Sequence, residues 1–416
     1  MPHLNVVFMG HVDAGKSTTC GNILRLCGRV DERIIEKFTK EAIENHRDSW
    51  FLAYIMDTGE EEKARGKTVE VGRAAFETSN RRFTILDAPG HRSFIPNMIS
   101  GASQADIGVL IISARVNEFE SGFEGGGQTR EHALLAKTLG VDRLIVAVNK
   151  MDDPSVNWKQ DRFNIIVDKM KPFLKTLNFK EVVYLPMSGL TGDNLKERKN
   201  TPSWFVGKSL LDELDTLDPP ERRNDLPLRI PMLDAFKDRG NITAIGKIVQ
   251  GTVNPGQRVL IMPGRRSCTV SAIYINEVEV LTASCGENIT MTMGGDISEE
   301  DLRQGFIMTD TIQAVRVVKK FKAQMKIIAL PRQLVMTAGY KAILHIHTAT
   351  EECEILKLYT CQVARTGDVI TCSILLGRLT PVDVYAGGVQ QLGRFTLRDE
   401  GITVAIGIIT ELPILF

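Results

Sequence analysis

Short apolar runs separated by amphipathic stretches fill the first half of the chain. LNVVFM (4–9), FTILD (83–87), IGVLIIS (107–113), LIVAVN (144–149) and VVYLPM (182–187) are apolar on both of their alternating faces. Such runs predict strands of a sheet buried on both sides. Between them QTREHALLAKTL (128–139) has helical spacing. So does the segment with Phe163, Ile166, Val167, Met170, Phe173, Leu174 and Leu177, whose apolar residues fall three and four apart. Strand alternating with helix predicts an α/β domain with a parallel-rich sheet, and ligands at the carboxyl ends of its strands.

The pattern changes after LDELDTLDPPERR (211–223), where Pro219 and Pro220 stop a helix. Strand-like pieces then come at short intervals between Gly, Pro and Asn turns: AIGKIVQGTV (244–253), QRVLIMP (257–263), CTVSAIYI (268–275) and NITMTM (288–293). That spacing predicts an all-β barrel. A second all-β stretch starts near RVVKKFKAQMKIIAL (316–330), continues through AILHIHTATEECEILKL (342–358) and ends in GRFTLRDEGITVAIGIITEL (393–412). The expected domains are an α/β domain at 1–222 and two all-β barrels at 223–313 and 314–416.

Composition narrows the picture. The 51 basic and 51 acidic residues balance, which argues against naked nucleic acid as the main partner and against stable DNA binding. The basic cluster Arg316, Lys319, Lys320 and Lys322 then reads as a solvated face between the barrels. No apolar run approaches the roughly 18 residues of a membrane span, and the chain starts on a strand with no signal-peptide pattern. The seven scattered cysteines form no C-x-x-C pair. A cytoplasmic monomer is expected.

The loop after the first run, GHVDAGKST (10–18), fits G-x-x-x-x-G-K-[ST] with Gly10, Gly15, Lys16 and Ser17 in place. Glycines let the backbone curl so that the N–H groups of His11, Val12, Asp13, Ala14, Gly15, Lys16, Ser17 and Thr18 surround phosphates. A helix starting near Lys16 adds its dipole, Lys16 reaches the terminal phosphates, and the Ser17 hydroxyl ligates Mg²⁺.

DAPGH (87–91) follows FTILD, taken as the second strand of the sheet. Asp87 is placed to hold the magnesium from its outer shell, and the Gly90 N–H to approach a γ-phosphate. Within the charged stretch GEEEKARGKTVEVG (59–72), Thr68 is the candidate metal ligand and γ-phosphate sensor. His91 is the candidate for positioning the attacking water. With no evident arginine in cis, hydrolysis is expected to wait for an external partner.

NKMD (149–152) follows LIVAVN. The Asp152 carboxylate can accept from the ring N–H and exocyclic amine of guanine, a donor pair that adenine lacks. Asn149 and the stem of Lys150 would steady the base, and a backbone N–H of Ser188, Gly189 or Leu190 would reach the guanine oxygen. His345 and His347, two apart, are expected to share a strand face and to be barrel packing or a surface pair rather than a metal site.

GHVDAGKST, DAPGH, NKMD and SGL in this order, followed by two barrels, resemble the translational GTPases related to elongation factor one alpha. Within that group GKTVEVGRAAFET (66–78), ILDAPGHRSFIPNMISGASQAD (85–106), EFESGF (118–123), NKMDDPSVNW (149–158) and GRFTLRDEG (393–401) look most like the eukaryotic class II polypeptide chain release factors. Elongation factors typically carry Ile where Lys67 stands. The resemblance implies GTP/GDP and Mg²⁺ as cofactors, with Lys16, Ser17 and Thr68 as phosphate and metal ligands. It implies His91 as the activator of hydrolysis on the ribosome, and Asn149, Lys150, Asp152 and Ser188 as guanine readers. It further implies that Arg394, Phe395, Thr396, Leu397 and Arg398 belong to a surface holding the class I release factor. The implied function is a translation-termination GTPase coupling hydrolysis to stop-codon-dependent peptide release. Two alternatives share the fold: a ribosome-rescue GTPase carrying a release-factor-like protein, and a tRNA-delivering elongation factor.

Overall fold

The first apolar run forms β1 (His3–Met9) at the heart of a six-stranded sheet. In β1, Val7 and Met9 join one core cluster, and Leu4, Val6 and Phe8 join the cluster on the opposite face. The strand is therefore apolar on both sides because both sides are covered. The structure, a computed structural model, describes residues 2–44, 50–57, 62, 68–124, 127–238, 241–331 and 335–413. Lys67 and most of the 59–67 stretch lie outside the described residues.

In chain order the first unit, Met1–Pro220, continues with α1 (Lys16–Leu26), α2 (Glu32–Glu44), β2 (Gly72–Glu77), β3 (Arg82–Asp87), α3 (Ile95–Ala102) and β4 (Ile107–Ser113). It is completed by α4 (Glu118–Phe123), α5 (Gln128–Leu139), β5 (Arg143–Asn149), α6 (Gln160–Thr176), β6 (Glu181–Pro186) and α7 (Leu210–Thr216). The sheet order is β2-β3-β1-β4-β5-β6, all parallel except the β2–β3 pair. β3 and β4 flank β1, so the order reverses there and the crevice opens at the carboxyl ends. FTILD is thus the third strand in sequence, not the second. β2 escaped notice because it is an edge strand in which only Phe76 is fully buried, stacked on Phe83 at 4.9 Å.

The second unit, Glu221–Phe416, holds both barrels. Its strands are β7 (Arg229–Asp238), β8 (Asn241–Lys247), β9 (Thr252–Val253), β10 (Arg258–Met262), β11 (Arg266–Ile275), β12 (Val278–Val280), β13 (Ala283–Ser284), β14 (Asn288–Gly294) and β15 (Ile307–Thr309). They are followed by β16 (Arg316–Ile327), β17 (Lys341–Ile346), β18 (Ala349–Leu358), β19 (Val369–Val382), β20 (Arg394–Asp399) and β21 (Ile402–Glu411). β10 pairs with both β15 and β11, closing the ring β10-β15-β7-β8-β14-β11 with β12 added on β11. The last six strands close as β16-β19-β18-β17-β20-β21. Alternating side chains fill each interior, such as Ile230, Met232 and Met291 in one and Phe321, Met325 and Phe395 in the other.

The GRFTLR segment requires a correction. Phe395, Thr396 and Leu397 are 0% exposed and Arg398 6%, so these four side chains cannot present a partner surface. Phe395 and Leu397 point into the barrel, and Arg398 donates to Thr403 Oγ1 and to the Gly401 carbonyl. Arg394 alone of the five is partly exposed.

The two histidines do not share a strand face. His345 lies in β17, 3.2 Å from Thr350 Oγ1, whereas His347 lies beyond the strand end at φ 42, its Nε2 3.0 Å from the Pro381 carbonyl. Both are buried, and no cluster of three metal-ligating His, Cys, Asp or Glu exists among the described residues. Burial pushes both down to about 4, with Arg398 adding to the effect at His345. The folded state holds them neutral while the unfolded chain takes up protons below about 6.5. Stability contributed by their burial is therefore lost as pH falls from about 6.5 to about 4. At pH 5 the expected loss is about 2 kcal/mol per histidine. Urea melts at pH 7 and pH 5 followed by hydrogen exchange in β17–β18 check this; equal stability at both pH values would contradict it.

Candidate functional site

A six-residue loop, 10–15, joins the end of β1 to α1, whose N-cap is Gly15 at φ 94. A Cβ there would sit 2.4 Å from Asn149 Nδ2, so only glycine lets the loop pass. The N-cap offers no side-chain cap, so the first-turn N–H groups stay available for an anion. Lys16 is buried and donates to the His11 carbonyl at 2.8 Å. Burial holds its ammonium below the usual lysine range, against the pull of Asp87 and Asp13. Gly90 comes so close that a Cβ would lie 2.5 Å from Lys16 Nζ.

Ser17 Oγ and Thr68 Oγ1 are 3.0 Å apart, and Thr68 donates to Asp57 Oδ1 at 3.0 Å. Neither oxygen of the fully buried Asp87 has a hydrogen-bond partner among the described residues. Burial raises Asp87 to about 6, with Ser17 and Lys16 opposing, and raises Asp57 to about 7, with Asp87 adding repulsion. Two crowded carboxylates and two hydroxyls offer only hard oxygen donors, the set that fits Mg²⁺. Asp57 was not singled out from the sequence. It sits after a short 3₁₀ turn (Ala53–Ile55), far from any motif, and no spacing points to it.

At the other end, Asn149 donates from Nδ2 to the Ala14 carbonyl at 2.8 Å and accepts from the Gly189 N–H at 2.7 Å. It ties the phosphate loop to the 188–190 loop, so its amide is already engaged on both sides where it lines the cleft. Asn22 steadies the same loop, donating to the Gly189 and Leu190 carbonyls at 2.8 and 3.1 Å. Lys150 stands at φ 62 and gives its ammonium to Glu118 Oε2 at 2.8 Å. Glu118 also accepts from Ser113 at 2.6 Å, and Arg115 bridges Glu118 and Asp153 at 3.3 and 2.5 Å. The Asp152 carboxylate is half-buried and makes no hydrogen bond among the described residues. The Glu118→Gln variant should leave Lys150 loosely held and raise the dissociation constant for GDP about five-fold, mostly through faster release. Stopped-flow displacement of a fluorescent GDP analogue measures it, and unchanged release would remove Glu118 from this role.

These two ends face one cleft of about 450 Å³. Val12, Asp13, Gly15, Lys16, Ser17, Thr18, Thr68, Gly90 and His91 line it on one side, and Asn149, Lys150, Asp152, Ser188 and Leu190 on the other. Trp50, Asp57, Arg115, Glu118 and Asp153 also line it, none expected from the motifs. His11 and Ala14 instead face a smaller cavity of about 160 Å³ with Glu118, Phe119 and Thr129. Their part in the cleft is through the backbone, His11 accepting from Lys16 and Ala14 from Asn149. The His11 ring meets Gln128, whose amide, oriented to satisfy its neighbours, donates to His11 Nδ1 (2.6 Å) and Gly90 O (3.1 Å) and accepts from the Arg92 N–H (3.2 Å). His91 caps the 3₁₀ turn Arg92–Phe94, its Nδ1 accepting from the Ser93 N–H at 3.3 Å.

A curled loop feeding a helix N-terminus, with a buried lysine and a hard-oxygen cluster at its mouth, defines a P-loop nucleotide-binding protein. The sequence profile of the family described as Elongation factor Tu GTP binding domain matches residues 1–234, more than half of the chain. That of Elongation factor Tu C-terminal domain matches residues 314–413. The chain belongs to the elongation factor Tu GTP-binding family, and its α/β domain followed by two six-stranded closed barrels is that architecture.

The chain is 45% identical to a Kluyveromyces lactis protein named eukaryotic peptide chain release factor GTP-binding subunit, over 99% of this chain and 61% of that protein. It is 44% identical to the Schizosaccharomyces pombe protein of the same name, over 99% of this chain and 64% of that one. The chain thus spans about three fifths of the length of the curated relatives it matches. In fold it is similar to the GTPase-like domain of S. cerevisiae Ski7 bound to GTP, with a TM-score of 0.85 at 17% identity over 98% of this chain and 97% of that one. No described helix is long and apolar enough to cross a membrane.

Proposed function

We propose that this chain is a translation-termination GTPase, a cytoplasmic partner of the class I release factor on the ribosome. The observation that carries it is the 45% identity, over 99% of the chain, to a release factor GTP-binding subunit, joined to a cleft whose residues fit GTP from end to end.

In this reading Asp152 accepts the guanine N1–H and exocyclic amine, and Lys150, steadied by Glu118, lies along the base. The loop N–H groups and Lys16 hold the phosphates. Ser17 and Thr68, with Asp57 and Asp87 behind them, hold Mg²⁺, which when bound neutralises charge on the transferring phosphoryl group. Gly90 brings its N–H to the terminal phosphate, and His91 orients the attacking water from the adjacent position. Thr68 senses the γ-phosphate through the same hydroxyl that now meets Ser17 and Asp57. The class I release factor is held by the last barrel, with Arg394 as the contact kept from GRFTLR because it is partly exposed.

The experiment is a pull-down with purified class I release factor and, separately, aminoacyl-tRNA, both with GTP. Capture of the release factor alone is expected. Capture of tRNA alone would replace this function with that of a tRNA-delivering elongation factor.

A further inference from the structure

The loop carrying Asp152 is braced on the side away from the cleft. It leaves β5 through Lys150 at φ 62 and ends at Asn157 (φ 47) and Trp158 (φ 52), all in the left-handed region. Asparagine tolerates that region, but a bulky tryptophan rarely enters it unless its surroundings enforce it.

Two hydrogen bonds hold Trp158 there. Its N–H donates to the Met151 carbonyl at 2.8 Å, one residue before Asp152, and so closes the loop on itself. Its carbonyl accepts from the indole N–H of Trp204 at 2.9 Å. Trp204 arrives from the segment after β6, and its ring is lodged against Phe163 at 5.4 Å and Phe205 at 6.2 Å. Within the closed loop the N–H groups of Val156 and Asn157 both donate to the Asp153 carbonyl, at 2.8 and 2.7 Å. Movement of the Trp158 peptide is therefore passed to residues 151–153 through short, directed bonds.

We infer that Trp204 is a specificity-determining positioning residue. By anchoring the Trp158 carbonyl it sets where the Asp152 carboxylate meets the base. The inference rests on the reading of Asp152 as the guanine acceptor.

Trp204→Phe keeps the aromatic packing and removes the N–H. The dissociation constant for GDP should rise about five-fold, the worth of one hydrogen bond. IDP lacks the exocyclic amine and gains less from a well-placed carboxylate, so the preference for GDP over IDP should shrink several-fold. Simple loosening of the fold would weaken both nucleotides alike and leave that ratio unchanged, and an unchanged ratio overturns the inference. Benzothienylalanine at position 204 has the indole's shape with sulfur in place of N–H. It should shrink the ratio equally, and it decides the matter if the phenylalanine variant fails to fold. Asp152→Asn is measured alongside. If it keeps its guanine preference, the reading of Asp152 fails whatever Trp204 does. If it turns to xanthine while the Trp204 variants keep the GDP-to-IDP ratio, only the role of Trp204 fails.

Discussion

Asp152→Asn is expected to lower affinity for GDP and GTP by about 10⁴-fold and to make xanthosine diphosphate the better ligand. The half-buried carboxylate lines the cleft, and in the proposed reading it accepts both guanine donors. An asparagine amide can accept one guanine donor but turns its own NH₂ toward the other. Two donors then face each other in a partly dry cleft, and the unmet group costs its full desolvation. Sites built to hydrogen-bond a substrate group reject mismatched analogues by roughly 10⁴ to 10⁵. Xanthine carries a carbonyl where guanine carries the amine, and that carbonyl accepts from the new NH₂. Competition titrations with GDP and xanthosine diphosphate measure the reversal. Unaltered guanine preference would take Asp152 out of base recognition.

His91→Ala should bind GTP within about two-fold of the parent and lose about 10³-fold in ribosome-stimulated hydrolysis, inside the range of a positioned proton-handling group. The ring lines the cleft beside Gly90, where the proposed function puts the attacking water. It also caps the turn Arg92–Phe94, and losing a cap costs about 1 kcal/mol. His91→Asn retains a capping side chain without the imidazole, so the two losses separate. Both variants should be equally slow in single-turnover assays with ribosomes and release factor. Normal hydrolysis in either removes His91 from the chemistry.

Much of the fold could be read from one-dimensional pattern because its physics is local. β1, β4 and β5 are buried on both faces and announce themselves as unbroken apolar runs. α5 spans the residues whose spacing predicted it, Gln128–Leu139. β2 did not show because an edge strand with one buried phenylalanine has no such run. The phosphate loop and the residues after β3 and β5 were legible because they abut strands and must be of particular types. Asp57, Glu118 and Gln128 were not. Each acts on a motif residue from another segment, through Thr68, Lys150 and His11 respectively, and pairings across the fold leave no spacing to read. The partner surface placed on GRFTLR failed for a local reason. Phe395 and Leu397 alternate as barrel-lining positions do, and that period outranked the resemblance.

Asn149 joins Ala14 at the phosphate loop to Gly189 at the base loop with one side chain. In the proposed reading the two halves of a bound nucleotide therefore share a common strut. Guanosine and pyrophosphate offered as separate fragments should bind with free energies that do not sum to that of GDP. A shift that either fragment imposes on its own loop reaches the other loop through the two bonds of this one side chain. Affinities of nucleotide analogues altered at one end will carry a contribution from the other, so structure–affinity series on this cleft call for double-mutant cycles rather than sums.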